Sequence, residues 1–301
     1  MSRIVLINPG GCYKAVVQRF VDAIGQHIDG ANYSATPIPG GFNVHFFRHY
    51  LDRGKPRECP DLYIAHGWNQ KLTPKGSPNY RAYSLFRYFG VVGEIDRAFL
   101  IRHGVEPERL LTVGHPGMDE ILSGGQEPIP LEGKKPRIVA AYSHSAFAPT
   151  WATMPSVFKR RLREEFELID LYHPVYHLKR KRTGLARDWL LGASACLTDV
   201  SGAMFEAWSL GVPVVFPTFI QGARAMALPK TAPLRLIYEH RIGYHTEKSI
   251  DFMPAVRAAV RHGMMDRETE FIDRYFPKEL RGCSGKQAAR EIERVAEQEE
   301  A

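Results

Sequence analysis

Cysteine is scarce and scattered. Cys12, Cys59, Cys196 and Cys283 form no C-x-x-C pair. Their spacing argues against a zinc ribbon and against a disulfide scaffold, so a reducing, cytoplasmic setting is the expectation. Long apolar runs are missing too. Nowhere do about 18 apolar residues follow one another, so no membrane-spanning helix is expected. The opening Met1-Ser2-Arg3-Ile4-Val5-Leu6-Ile7 is too short for a signal peptide and reads as a first strand. No repeat of fixed period and no low-complexity tract is present, which argues against a solenoid or a propeller. Acidic residues are in the minority, with 33 Asp and Glu against 40 Lys and Arg, a net charge of +7.

What is present describes a globular chain. Hydrophobic residues make up 44% and charged residues 24% of 301 residues. That is too apolar for wholesale disorder and long enough to favour two domains. The positive surplus is local. Lys134 to Asp188 holds twelve Lys and Arg against five Asp and Glu, which matches the surplus of the whole chain. Such a block is either a solvated face or a surface for a polyanion such as nucleic acid, anionic lipid or a phosphate-rich polymer.

Strand and helix alternate along the chain. Arg3 to Asn8 is a short apolar run that stops at Pro9-Gly10-Gly11. Val16, Val17, Phe20, Val21 and Ile24 then recur at helical spacing. Further strands are expected at Asp61–Ala65, Phe89–Gly93 and Leu110–Val113, with a helix from Ile95 to His103 that stops at Gly104. Residues 123–133 are rich in Gly and Pro and read as a linker. The alternation restarts with strands at Arg137–Tyr142, Leu168–Tyr172, Ala195–Thr198 and Val212–Phe216, and helices at Pro155–Phe166 and Ala203–Leu210. Ser284 to Glu300 is an amphipathic helix with Ser284 as its expected N-cap. This pattern predicts βαβ units and parallel sheets. The expected division is an N-terminal Rossmann-like domain over 1–125 and a C-terminal one over 134–283. A closing helix over 284–301 would pack back on the first domain.

In such sheets ligands collect beyond the carboxyl ends of the strands. Asn8, His66, His115, His144, His173 and Asp199 all follow expected strands. The most informative segment is Leu197-Thr198-Asp199-Val200-Ser201-Gly202-Ala203-Met204-Phe205-Glu206, followed by Leu210-Gly211-Val212-Pro213. A strand enters a polar turn and then a helix. Asp199, Ser201 and the first helical amides could hold a phosphate, or Asp199 and Ser201 could simply cap the helix. Glu206, one turn on, could accept from ribose hydroxyls. Asn8, Gly10 and Gly11 make a glycine turn that falls short of a complete G-x-G-x-x-G.

The segment from Asp199 to Pro213 resembles the donor-binding turn of CDP-glycerol glycerophosphotransferases. His66-Gly67, Gly114-x-Pro116-x-x-Asp119, Tyr172-His173-Pro174, Ala148-Pro149-Thr150-Trp151 and Gly285-Lys286-Gln287-Ala288 extend the resemblance. It runs from about residue 61 to the end. Val200 and Gly202 depart from the family's Asp-Tyr-Ser-Ser, and Ala152 stands where an Arg is common. Ser201-Gly202 leans toward the Asp-Ser-Gly-Gly turn of UDP-N-acetylglucosamine 2-epimerases.

The resemblance implies an α/β fold of GT-B architecture, with two Rossmann-like domains of parallel sheets facing a cleft, and no metal or cofactor. It implies a transferase that moves a glycosyl or glycerophosphoryl group from a nucleotide-diphosphate donor, CDP-glycerol or a nucleotide sugar, to an acceptor hydroxyl. His66 is then the catalytic base, with Asp119 and Glu94 as runners-up, and His173 assists the leaving phosphate. Ser143, His144, His173, Asp199, Ser201, Gly202 and Glu206 would bind the donor, with Tyr142 and Ser145 beside them. Lys179, Arg180, Lys181, Arg182 and Trp68 would meet the acceptor. The basic block suits an anionic acceptor, either a teichoic-acid-like polymer or hydroxymethylated phage DNA with its base flipped out. Two other readings stay open: an isomerase like the 2-epimerases, and a non-catalytic polyanion-binding protein.

Overall fold

The computed structural model describes residues 4–8, 10, 14–46, 62–65, 68, 86–131, 133–143, 150–171 and 185–300. The chain divides into two compact units. Unit 1 is Met1–Gly125 with Arg274–Ala301, and unit 2 is Gln126–Asp273.

Unit 1 is built on six strands: β1 (Ile4–Ile7), β2 (Asn32–Ser34), β3 (Phe42–His45), β4 (Leu62–Ile64), β5 (Tyr88–Val91) and β6 (Leu110–Thr112). They lie in the order β2-β1-β3-β4-β5-β6, and every pairing is parallel. Leu6 sits opposite Tyr33 on one side and Val44 on the other. Helix α1 (Lys14–Gly25) buries the five apolar residues that its period marks out. Helix α2 (Glu94–Arg102) and the short α3 (Asp119–Leu122) follow β5 and β6.

β3 falls outside the sequence expectations because two of its four buried residues are polar. Asn43 is made tolerable by local bonds. Its amide donates to the carbonyls of Gly41 at 2.8 Å and Ile38 at 3.2 Å, and its oxygen accepts from the Ile38 N–H at 2.9 Å.

The last helix of the chain, α12 (Ser284–Glu300), packs in unit 1 and adds Ala288, Ala289, Ile292, Val295 and Ala296 to its core. Its approach to α1 is close: a Cβ on Gly285 would overlap the Ala23 carbonyl. The expectation that Ser284 caps this helix needs correction. The first amides are capped from far away in sequence by Asp119, which accepts from the N–H groups of Ser284 at 3.0 Å and Gly285 at 2.5 Å. Ser284 instead donates its hydroxyl to the Leu280 carbonyl and accepts from the His115 N–H at 3.0 Å.

Unit 2 has five strands: β7 (Arg137–Ala141), β8 (Glu167–Leu171), β9 (Ala195–Leu197), β10 (Val214–Phe216) and β11 (Tyr244–His245). Their order is β11-β10-β9-β7-β8, again parallel throughout. The helices are α4 (Thr150–Thr153), α5 (Ser156–Glu165), α6 (Ala186–Leu190), α7 (Ala203–Ser209), α8 (Thr218–Met226), α9 (Pro233–Glu239), α10 (Phe252–His262) and α11 (Asp266–Tyr275). Phe252, Met253, Val256 and Ala259 of α10 cover Ile138, Ala140, Leu197 and Val215 of the sheet.

Two buried charges organise this unit. Arg137, at the start of β7, donates to the carbonyls of Ile129 at 2.6 Å and Pro130 at 2.7 Å, and to Glu167 at 3.1 Å. The Gly- and Pro-rich connection is therefore fastened to the sheet. Glu268 accepts from the Trp208 indole at 2.6 Å, the Met265 N–H at 2.8 Å and the Val214 N–H at 3.0 Å. That joins α11, α7 and β10 at one carboxylate, and burial holds its pKa above the ordinary glutamate value. Among the described residues, no helix is long and apolar enough to cross a membrane.

Candidate functional site

The strand order reverses direction once in each sheet. In unit 2 the reversal falls between β7 and β9, since β8 lies on the outer side of β7. Such a reversal opens a crevice at the carboxyl ends of the two flanking strands, and open α/β sheets take their ligands there. Ser143 follows β7 and Asp199 follows β9, so both stand at this point.

They are joined directly. The Asp199 carboxylate accepts from the Ser143 N–H at 2.9 Å and from the Ser143 hydroxyl at 3.1 Å. Asp199 is fully buried, as is its neighbour Thr198, whose hydroxyl donates to the Ala141 carbonyl at 2.6 Å. Asp199 thus ties the ends of β7 and β9 together. At the start of α7 the Ser201 hydroxyl accepts from the Ala203 N–H at 3.3 Å.

Helix α7 is only seven residues long. Its next amides bond within the turn, Phe205 to the Gly202 carbonyl at 3.0 Å and Glu206 to the same oxygen at 3.4 Å. A ligand here would be met by the turn's side chains more than by free helical amides. Ser201 and Gly202 remain partly accessible.

Glu206 is half-buried on α7 and faces Arg187 of α6, with an Nη2 to Oε1 distance of 3.4 Å. The Arg187 side chain is only 4% exposed. Sequence reading missed Arg187, because the hydrophobic stretch before β9 gives no sign of which charge is inside. Burial and the nearby Glu206 and Asp199 charges push the Cys196 thiol well up, so this cysteine is an inert core residue. Tyr142 and Tyr238 are also raised, chiefly by burial and then by Asp199, so both phenols stay protonated.

At the edge strand, His245 stacks on Phe216 with centroids 4.6 Å apart. Its Nε2 lies 3.0 Å from the Ile242 carbonyl and its Nδ1 lies 3.1 Å from the Thr218 hydroxyl. That network assigns the proton to Nε2 and makes Nδ1 the acceptor. Burial lowers the His245 pKa to about 4, so the ring is neutral at pH 7.

In unit 1, Trp68 is buried and stacks on His115, with centroids 4.2 Å apart and planes 17° apart. Asp119 is committed to α12, and burial raises its pKa despite the two backbone donors. Glu94 is exposed and pairs with Arg274 at 3.1 Å. Asn8 bonds Gln18 at 2.8 Å and accepts from the Gly10 N–H at 3.2 Å. His66, His144, Ser145, His173 and Lys179, Arg180, Lys181 and Arg182 lie outside the described residues. Among the described residues no group of three or more His, Cys, Asp or Glu is placed to hold a metal ion.

No protein-family model matches the sequence, and no curated protein matches it. Solved structures do. A histidine-to-alanine variant of the wall teichoic acid polymerase TagF is 12% identical, with 100% of this chain and 90% of that one covered and a TM-score of 0.65. The S. aureus MnaA–UDP co-structure is 13% identical, with 99% and 97% covered and a TM-score of 0.53. The UDP-GlcNAc 2-epimerase from Methanocaldococcus jannaschii is 12% identical, with 97% and 99% covered and a TM-score of 0.51. The fold is the α/β GT-B architecture, with two Rossmann-like units of parallel sheet.

Proposed function

We propose that this chain transfers a glycosyl or glycerophosphoryl group from a nucleoside-diphosphate donor to an acceptor hydroxyl, and that unit 2 holds the donor. The observation that carries this reading is the gathering of Ser143, Asp199, Ser201 and Glu206 around the β7/β9 reversal. Likeness in fold supports it: MnaA was solved with UDP, and a TagF variant was soaked with CDPG. Glu206 would accept from the ribose hydroxyls, its carboxylate held by Arg187. Ser143 and Ser201 would meet the diphosphate. His66 is proposed as the base and His173 as the group that assists the leaving phosphate, both on the sequence resemblance.

The bond that breaks depends on the donor. A sugar donor breaks its C–O bond to the diphosphate and releases the nucleoside diphosphate. CDP-glycerol breaks its P–O–P anhydride and releases CMP. In either case the acceptor oxygen takes the group and gives up a proton to the base. The acceptor would be a polyanion. Arg160, Arg161 and Arg163 on α5, with Lys134 and Lys135, are exposed cations that suit one.

Ser201-Gly202 and the matches to epimerases favour a second reading, an acceptor-independent epimerase. The higher TM-score to TagF ranks the transferase first. Chromatography of reactions with CDP-glycerol or UDP-N-acetylglucosamine tests both readings, with poly(glycerol phosphate) or hydroxymethylated duplex DNA as acceptor. CMP or UDP released only with an acceptor supports transfer. An isomerised UDP-sugar formed without one supports the epimerase. Unchanged donors in every mixture overturn both.

A further inference from the structure

The turn that starts at Asn8 has no part in the function proposed above. It adjoins a cavity of about 300 Å³ in unit 1, beside α1 and at the carboxyl ends of β1 and β2. That volume lies at the lower end of the about 300–1,000 Å³ in which small molecules bind. Asn8, Lys14, Gln18, Val21, Tyr33 and Ser34 are among the residues that line it. All of these but Val21 are accessible to solvent.

The bonds already made fix what the cavity can still offer. Ser34 Oγ accepts from the Thr36 N–H at 3.1 Å, which leaves the hydroxyl hydrogen to donate. Gln18 Oε1 accepts from the Asn8 amide at 2.8 Å. Gln18 Nε2 gives one of its two hydrogens to Asp22, one turn further along α1, at 2.8 Å. Asn8 Oδ1 accepts from the N–H of Gly10, whose φ is +77°. The side-chain oxygens of Asn8, Gln18 and Ser34 thus each have a protein donor, whereas a hydroxyl hydrogen, an amide hydrogen and an ammonium group remain. That ammonium is Lys14. The first turn of α1 holds no acidic residue, and no carboxylate pairs with Lys14 among the described residues. Tyr33 is 60% exposed, yet its place is set. Its ring rests on α1 where Gly25 leaves room, since a Cβ on Gly25 would overlap the phenol oxygen.

We propose that this cavity binds a phosphorylated polyol, with its phosphate on Lys14, Ser34 and Gln18 and its carbon chain along Tyr33 and Val21. A lining with donors to spare selects an anion, and the oxygens of a phosphate accept from all three. One ammonium among neutral donors matches a single phosphate. A duplex nucleic acid calls for several cations side by side. The Tyr33 ring offers an apolar face to the C–H groups of the polyol. The site stands on unit 1 alone and does not depend on the donor reading of unit 2. Its ligand is either a free polyol phosphate or one unit of a polymer of them, which present the same chemistry.

Calorimetry on the full chain tests this with glycerol 3-phosphate, poly(glycerol phosphate), inorganic phosphate and glycerol. Wild type is compared with Lys14→Gln, Lys14→Arg and Ser34→Ala, all at solvent-accessible positions. Wild type should bind at least one of the two polyol phosphates fivefold or more tighter than inorganic phosphate, and glycerol not measurably. Lys14→Gln should weaken that binding tenfold or more and Ser34→Ala threefold or more, while Lys14→Arg stays within threefold of wild type. Lys14-dependent binding of the polymer alone supports the polymer as the source, and of glycerol 3-phosphate as well supports the free compound. CDP and UDP titrations separate this site from unit 2, because Lys14→Gln should leave their Kd values within twofold. A wild type that binds a polyol phosphate but neither diphosphate supports this site while defeating the donor reading. Failure of both polyol phosphates to bind wild type would overturn the proposal. So would binding no tighter than that of inorganic phosphate, equal binding by Lys14→Gln, or a parallel loss of CDP or UDP binding in that variant.

Discussion

Asp199 and Ser143 are 56 residues apart in sequence and share two hydrogen bonds, from the serine N–H and its hydroxyl to one buried carboxylate. The pair closes the gap between the two strands at which the unit 2 sheet reverses its order. Each group has a different weight. Ser143→Ala removes one bond and should cost about 1 kcal/mol. Asp199→Asn turns an amide against two donors and should cost about 1–3 kcal/mol. Urea denaturation of both variants checks the order.

The Arg187–Glu206 pair makes a sharper prediction. Breaking a buried pair leaves one charge uncompensated, at about 3–5 kcal/mol, whereas removing both partners costs much less. Arg187→Leu should therefore be strongly destabilised, and Arg187→Leu with Glu206→Gln should recover most of the loss. A double-mutant cycle by denaturation measures this coupling. Additive losses would show that the pair is not coupled.

Glu268 gives a pH signature. Its folded pKa is raised above the ordinary 4.5, with burial as the first cause. A raised folded pKa adds stability below the unfolded value and loses it as pH rises through the folded one. The stability advantage of wild type over Glu268→Gln should therefore be largest in acid and shrink as pH climbs from 4.5. Denaturation midpoints across that window check the sign.

His245 acts in the opposite direction. Its pKa falls from 6.5 to about 4 in the folded protein, with burial as the first cause. A depressed folded pKa adds stability above the unfolded value and loses it as pH falls. Wild type should lose stability relative to His245→Phe between pH 6.5 and 4. An NMR titration of the ring checks the shift itself: a midpoint near 6.5 would contradict the buried, neutral assignment.

Gly285 tests the packing of α12 on α1. A methyl group there would overlap backbone, which cannot swing aside as a side chain can. Gly285→Ala should cost about 1–3 kcal/mol. Gly133→Ala, where a Cβ meets nothing within 4 Å, is the control.

The alternation of apolar runs with helical periods was legible because parallel strands covered on both faces are apolar throughout, as β1, β9 and β10 are. β3 was hidden by Asn43 and His45, two buried polar residues that break up its apolar run. β11 has two residues and leaves no period to read. The helices from Thr218 to Tyr275 were missed because proline and short turns interrupt their apolar spacing. At the site, the turn from Asp199 to Glu206 stood out. Its partners Ser143 and Arg187 are fixed by long-range pairing, which sequence spacing does not reveal. Ser284 looked like a cap because its residue type suits one, yet the cap comes from Asp119, 165 residues away.

Unit 2 is proposed to bind a nucleoside diphosphate at the β7/β9 reversal. Calorimetric titration of CDP, UDP, GDP and ADP into wild type and Glu206→Gln tests it most directly. Saturable one-to-one binding of at least one of the four is expected, weakened tenfold or more in the variant, about 1.4 kcal/mol. Absence of binding by all four in wild type, or equal binding by wild type and variant, would contradict it.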